Sequence, residues 1–187
     1  RLTYGLDANP DTTYTANDVN QYASTTYPTE AFAYDDDGNL TQDGTFDYTW
    51  DAENRLIAVT PRTPATGAKK VKFVYDYMGR RVRKEVFTYD NGWLANPDKR
   101  EHFVYDGWNV VMVLDGLNSN ATTRKYTWGL DLSGTIHGAG GIGGLLACEE
   151  PQAPGGPKRY WFLYDGNGNV TQVLDATDTN NISIAAH

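Results

Sequence analysis

Little in this chain points to catalysis or to a membrane. Cys148 is the only cysteine among 187 residues, so neither an internal disulfide nor a cysteine cage for a metal can form. No apolar run approaches the roughly 18 residues that cross a bilayer as a helix; the longest, Val110 to Leu114, is strand-sized. His102, His137 and His187 are scattered without zinc-binding spacing. Helical periodicity is nearly absent, because Gly and Pro interrupt most windows. Positive charge is also short: 16 Lys and Arg face 24 Asp and Glu, a net charge of −8. That balance repels a phosphate backbone unless a basic stripe is gathered locally, so no nucleic-acid partner is expected. The chain opens Arg1-Leu2-Thr3 with neither a starting Met nor an apolar leader, which places any signal peptide outside it.

Glycine, at 19 residues, and aromatics, at 13 Tyr, 5 Trp and 6 Phe, are what the chain has in quantity. They argue for a folded core and against disorder. The aromatics recur in one unit: aromatic, Asp, two variable residues, Gly or Asn, a polar residue, then an aliphatic. Copies stand at Tyr34-Asp35-Asp36-Asp37-Gly38-Asn39-Leu40, at Trp50-Asp51-Ala52-Glu53-Asn54-Arg55-Leu56, and at Tyr164-Asp165-Gly166-Asn167-Gly168-Asn169-Val170. Tyr75-Asp76-Tyr77-Met78-Gly79-Arg80-Arg81-Val82 is one residue longer, and Tyr105-Asp106-Gly107-Trp108-Asn109-Val110 is shortened. Tyr14 to Val19 is a degenerate copy and Trp128 to Gly134 a diverged one.

Upstream of each pair the residues alternate with period two, as in Phe46, Tyr48 and Trp50 or Tyr160, Phe162 and Tyr164. Period two is the mark of a strand with one buried face. The Asp accepts turn amides, Gly or Asn supplies the positive φ, and the aliphatic starts the returning strand. Each copy therefore reads as strand, turn, strand. Residues 61–70 and 138–158, rich in Pro or Gly, read as loop excursions within a single repeat segment spanning 1–187.

This series resembles the YD repeats of the RHS family, named for the Tyr-Asp pair found here at 34–35, 75–76, 105–106 and 164–165. The resemblance runs from about Tyr14 to Asp178, and Tyr48 to Leu56 and Tyr126 to Gly134 are especially family-like. It implies an all-β fold, a curved, spiralling antiparallel sheet forming part of a β-shell. In polymorphic toxins, insecticidal toxin complexes and animal relatives such a shell encloses a C-terminal segment or serves as a surface scaffold. The family's self-cleaving core ending, with its Asp-Pro-x-Gly context, has no counterpart around Asp175 or Asp178. The function implied is a non-enzymatic structural segment in a bacterial secreted or cell-surface protein, with the remainder of its own shell as partner. No enzyme activity, cofactor or metal is expected.

Other chemistry has little support in the residues. Gly138-Ala139-Gly140-Gly141-Ile142-Gly143 fits a dinucleotide-binding pattern, but the residues before Pro151 are too few for the required helix. It reads instead as a glycine loop, mobile, packed on another backbone, or marking a bend. Asp35 to Asn39 and Asp165 to Asn169 lack the Gly and Glu positions of an EF-hand loop. Cys148 with His137 lacks an orienting group for a nucleophilic dyad, and Asp51 with Glu53 are neighbours on one turn rather than opposed carboxylates. Arg80, Arg81, Arg83 and Lys84 are expected to pair with carboxylates on adjacent strands. Trp93, Trp108 and Trp161 stand outside the repeat positions. They allow either a glycan-binding adhesion surface or a sheet packed on both faces. Open strand edges would allow self-assembly into a fibre.

Overall fold

The structure, a computed structural model, describes residues 11–151 and 153–186. Among these residues there are sixteen strands and no helix, and the strand pairings within residues 14–31, within 33–75 and within 99–186 are antiparallel. The chain divides into two compact units. One comprises the residues up to Val74 with Glu85–Asp98, and the other Tyr75–Lys84 with Lys99 onward.

In the first unit β1 (Tyr14–Ala16), β2 (Tyr22–Thr26) and β3 (Thr29–Ala31) form a small sheet. Beyond it β4 (Ala33–Tyr34), β5 (Leu40–Gln42), β6 (Phe46–Trp50), β7 (Leu56–Pro61) and β8 (Lys69–Tyr75) pair in chain order. β9 (Arg81–Thr88) contributes to both units. The second unit continues in chain order through β10 (Lys99–Asp106), β11 (Asn109–Asp115), β12 (Ala121–Trp128) and β13 (Leu145–Glu150). It ends with β14 (Lys158–Tyr164), β15 (Val170–Asp175) and β16 (Ser183–Ala186). The expected all-β, antiparallel class is what the chain adopts.

Alternation governs burial as period two requires. On β6 the side chains of Phe46, Tyr48 and Trp50 are half-buried, while those of Asp47 and Thr49 are exposed. On β14 Tyr160, Phe162 and Tyr164 are half-buried and Trp161 and Leu163 exposed. Few apolar residues are buried among the described residues: Phe87, Val113, Cys148 and Ala176.

The repeat aromatics do more than fill a face. Trp50 Nε1 donates to Leu40 O at 2.8 Å, Trp128 Nε1 to Val110 O at 2.8 Å, and Tyr164 Oη to Leu145 O at 2.6 Å. Each acceptor belongs to the residue paired across the strands with the preceding aromatic: Leu40 with Tyr34, Val110 with Tyr105, Leu145 with Trp128. Tyr105 Oη likewise reaches Arg81 O at 2.9 Å, and Tyr34 Oη reaches Tyr22 O at 3.0 Å. A half-buried ring with a polar tip satisfies that tip on a carbonyl earlier in the chain, so these five copies are fastened to preceding strands of their own unit.

One expected excursion is corrected. Residues 138–158 are not one loop, because β13 crosses them between glycine-rich turns and the turn after Glu150. Leu145 to Glu150 shows no alternation to announce it. Its strand form comes from partners on both sides, Tyr126 and Tyr160 opposite Cys148 and Lys125 and Arg159 opposite Glu149. The other excursion contains the loop between β7 and β8, although Lys69 and Lys70 already belong to β8.

Candidate functional site

The aspartates of the repeat are occupied by their own turns. Asp35 Oδ1 accepts the amides of Asp37 and Asn39 at 3.1 and 2.8 Å. Asp51 does the same for Glu53 and Arg55, Asp76 for Met78 and Arg80, and Asp165 for Asn167 and Asn169. In all four the Asp amide donates to the carbonyl four residues on, and its own carbonyl accepts the amide three residues on. That third position carries positive φ: Gly38 at 87°, Asn54 at 58°, Gly79 at 78° and Gly168 at 80°. The second carboxylate oxygen takes the side chain at the fourth position, Asn39, Arg55, Arg80 or Asn169. The Asn39 side chain holds the Asp35 carboxyl below its usual range, and that of Asn169 does so for Asp165. Burial opposes the same effect at Asp51 and Asp76, where the Arg55 and Arg80 bonds prevail. These oxygens are engaged by N–H donors of their own turns. Asp106 differs, since the two-residue turn Gly107–Trp108 joins it directly to Asn109 and leaves no five-residue loop to close around it.

Asp131 accounts for the glycine loop. Its Oδ1 accepts Ser133 N at 2.9 Å and Ser133 Oγ at 2.5 Å, and its Oδ2 accepts the amides of Ala139 and Gly141 at 2.7 and 3.2 Å. The Ser133 bond and these amides depress the Asp131 carboxyl to about 2, against the opposing effect of burial. Amides that a phosphate would need are therefore filled from within. Of the three readings of this loop, packing on neighbouring groups is the one seen. A Cβ on Gly144 would lie 3.1 Å from Gly129 O, and one on Gly141 would lie 2.6 Å from Asn109 Oδ1.

The remaining single residues do not gather. Cys148 is buried on β13, where burial pushes its thiol up, whereas His137 Nδ1 stands 3.4 Å from Asn109 Nδ2. His102 meets Asn120, and His187 lies outside the described residues. Among the described residues no three His, Cys, Asp or Glu side chains come together as a metal site. Trp93, in the first unit, packs edge-on against Tyr89 with the Lys70 ammonium 4.8 Å from its ring. In the second unit Trp108 sits on its tight turn and Trp161 on the outward side of β14, 59% and 41% exposed.

What strand register does assemble is a recess of about 430 Å³ within the second unit. Alternate residues of β10 (Lys99, Glu101, Phe103, Tyr105) and of β12 (Arg124, Tyr126, Trp128) share its wall. Pairing of Phe103 with Val113, and of Val113 with Arg124, carries the same face across β11. Arg81 and Lys84 enter from β9, Arg81 with its guanidinium 4.9 Å from the Phe103 ring.

Four cations thus line the recess with one carboxylate, in a chain whose net charge is −8. Glu101 is 8% exposed and is held by Lys99 at 2.8 Å and Lys84 at 3.7 Å. Burial opposes its ionisation, but the Lys99 bond and both ammonium groups keep its carboxyl below the usual range. Arg124 donates to Glu150 at 2.9 Å, which raises its guanidinium further. Burial raises the hydroxyls of Tyr105 and Tyr126, so both keep their protons near pH 7; Tyr105 donates to Arg81 O, and the Tyr126 oxygen accepts from Arg124. Sequence reasoning listed the basic residues 80–84 but did not find this recess. Its other cations arrive from strands remote in the chain.

No family model matches the chain. It is 32% identical over 150 residues, 79% of its length, to the tRNA3(Ser)-specific nuclease WapA of Bacillus spizizenii. The same identity over the same span relates it to the tRNA(Glu)-specific nuclease WapA of Bacillus subtilis subsp. natto and to the tRNA nuclease WapA of Bacillus subtilis. The chain spans 5% of the length of these relatives. A chain in the crystal structure of TcdB2-TccC3 matches 97% of it with a TM-score of 0.56 and 14% identity, over 10% of that chain. At such identity the likeness is one of fold. These matches overturn the expectation of a non-enzymatic scaffold, adhesion module or fibre subunit, since the relatives are named as enzymes that act on tRNA. A missing catalytic cluster in a chain that spans 5% of the length of these relatives says nothing of their activity. The fold itself is RHS-like, an antiparallel β architecture of strand-turn-strand units.

Proposed function

We propose that this chain is a repeat-bearing segment of a toxin nuclease that cleaves tRNA and resembles WapA. The observation that carries the reading is the shared 32% identity over 150 residues with three nucleases of that name. The RHS resemblance supports it from the side of the repeats. The same Asp-centred turn in both units, at Asp35 and Asp51 and again at Asp76 and Asp165, supports treating residues 1–187 as one repeat series. Placement in a secreted or cell-surface protein belongs to the same reading. Among the described residues no helix is long and apolar enough to cross a membrane.

The test is direct. The full-length protein that carries this chain is incubated with total tRNA, and the products are resolved on denaturing gels and mapped by end-sequencing. Cleavage of defined tRNA species is expected. Intact tRNA, with and without added magnesium, would overturn the reading.

A further inference from the structure

Four of the chain's 16 basic residues line one recess that holds a single one of its 24 acidic residues. Aromatic side chains make up much of the rest of the wall. That composition suits a ligand with two unlike ends. A planar ring stacks on aromatic faces, and an anionic group is drawn to clustered ammonium and guanidinium groups. The recess, at about 430 Å³, falls within the size range of small-ligand sites.

We propose that the recess binds a nucleotide, its base against Tyr126 and Trp128 and its phosphate among Lys84, Lys99 and Arg124. The choice of a nucleotide over other ringed anions rests on the tRNA-nuclease reading above. The three cations are placed for exchange rather than locked away. Their side chains are 34%, 57% and 44% exposed, and Lys84 and Lys99 share the one carboxylate of Glu101, which leaves them an excess of positive charge for a phosphate. Glu101 is the opposing feature. It sets the resting charge balance and makes the site selective for a ligand whose ring adds to the attraction of its phosphate.

The 187-residue chain is titrated with AMP, UMP, inorganic phosphate and a short single-stranded RNA, followed by calorimetry and by tryptophan fluorescence. Mononucleotide binding is expected to exceed phosphate binding, and K84Q and K99Q are each expected to weaken it about tenfold, the loss of one charge-assisted bond. E101Q is expected to tighten it, and K72Q, in the first unit, to leave it unchanged. The oligonucleotide arm separates a free nucleotide from an RNA strand as the source of the same chemistry. Phosphate binding as tightly as AMP, no binding, or binding indifferent to K84Q, K99Q and E101Q would each overturn the proposal. None of these outcomes bears on tRNA cleavage by the full-length protein, so the two readings fail separately.

Discussion

The turns at Asp165 and Asp131 begin alike and end differently. In both, the Asp amide donates to the carbonyl four residues on, Asn169 or Thr135, and the Asp carbonyl accepts the glycine amide three residues on, Gly168 or Gly134. In both, the glycine has positive φ, 80° and 74°. They part first at Oδ1, which takes the Asn169 amide in one and the Ser133 hydroxyl in the other, and chiefly at the second carboxylate oxygen, which takes the Asn169 side chain in one and the amides of Ala139 and Gly141 in the other. The turn itself needs only the backbone bonds and one carboxylate oxygen. The other oxygen is a spare acceptor, and at Asp131 it has recruited an inserted loop.

If that division holds, Asp131→Ala has the largest effect. It releases the loop at residues 136–144 as well as its own turn, whereas Asp165→Ala loosens the turn alone. Thermal melting is expected to fall further for Asp131→Ala, and hydrogen exchange at Ala139 and Gly141 to rise sharply. Equal damage from both would erase the comparison.

Acid gives the same contrast without mutation. The Asp131 carboxyl is depressed to about 2, so the unfolded chain binds the proton first and folding stability rises with pH. The contribution of Asp131 is complete above about pH 4, near the ordinary carboxylate value, and is lost as pH falls toward 2. NMR titration is expected to show Asp131 as the last of the turn aspartates to protonate. Protonation ahead of Asp165 would contradict the assignment of its partners.

Smaller effects concern the rings beside the turns. Trp50→Phe and Trp128→Phe each remove a donor to a carbonyl on the preceding hairpin and are expected to cost about 1 kcal/mol in denaturant unfolding. Trp50 precedes a regular turn and Trp128 the expanded one, so similar losses would show that the fastening is independent of what the turn carries. Least of all is expected from Asn169→Arg, which substitutes the partner used at Asp51 and Asp76 for the one used at Asp35. A clear fall in melting temperature would mean that the second oxygen is not a spare acceptor.

How far the sequence disclosed this follows from range. Asp35, Asp51, Asp76 and Asp165 close loops of five residues, so every group in those turns lies in one short string. The strands before them show period two for the same local reason. β13 was hidden because Leu145 to Glu150 takes its form from β12 and β14, not from its own pattern. The recess was hidden because Lys84, Lys99 and Arg124 meet only through the register of four strands. The charge total concealed it as well, since a sum of −8 does not say where the cations stand.

Every aromatic fastening described runs in one direction along the chain. Trp50 reaches back to Leu40, Tyr105 to Arg81, Trp128 to Val110 and Tyr164 to Leu145. The donor is always the later residue. In these copies a growing polypeptide leaving the ribosome can therefore latch the new ring onto a strand already made.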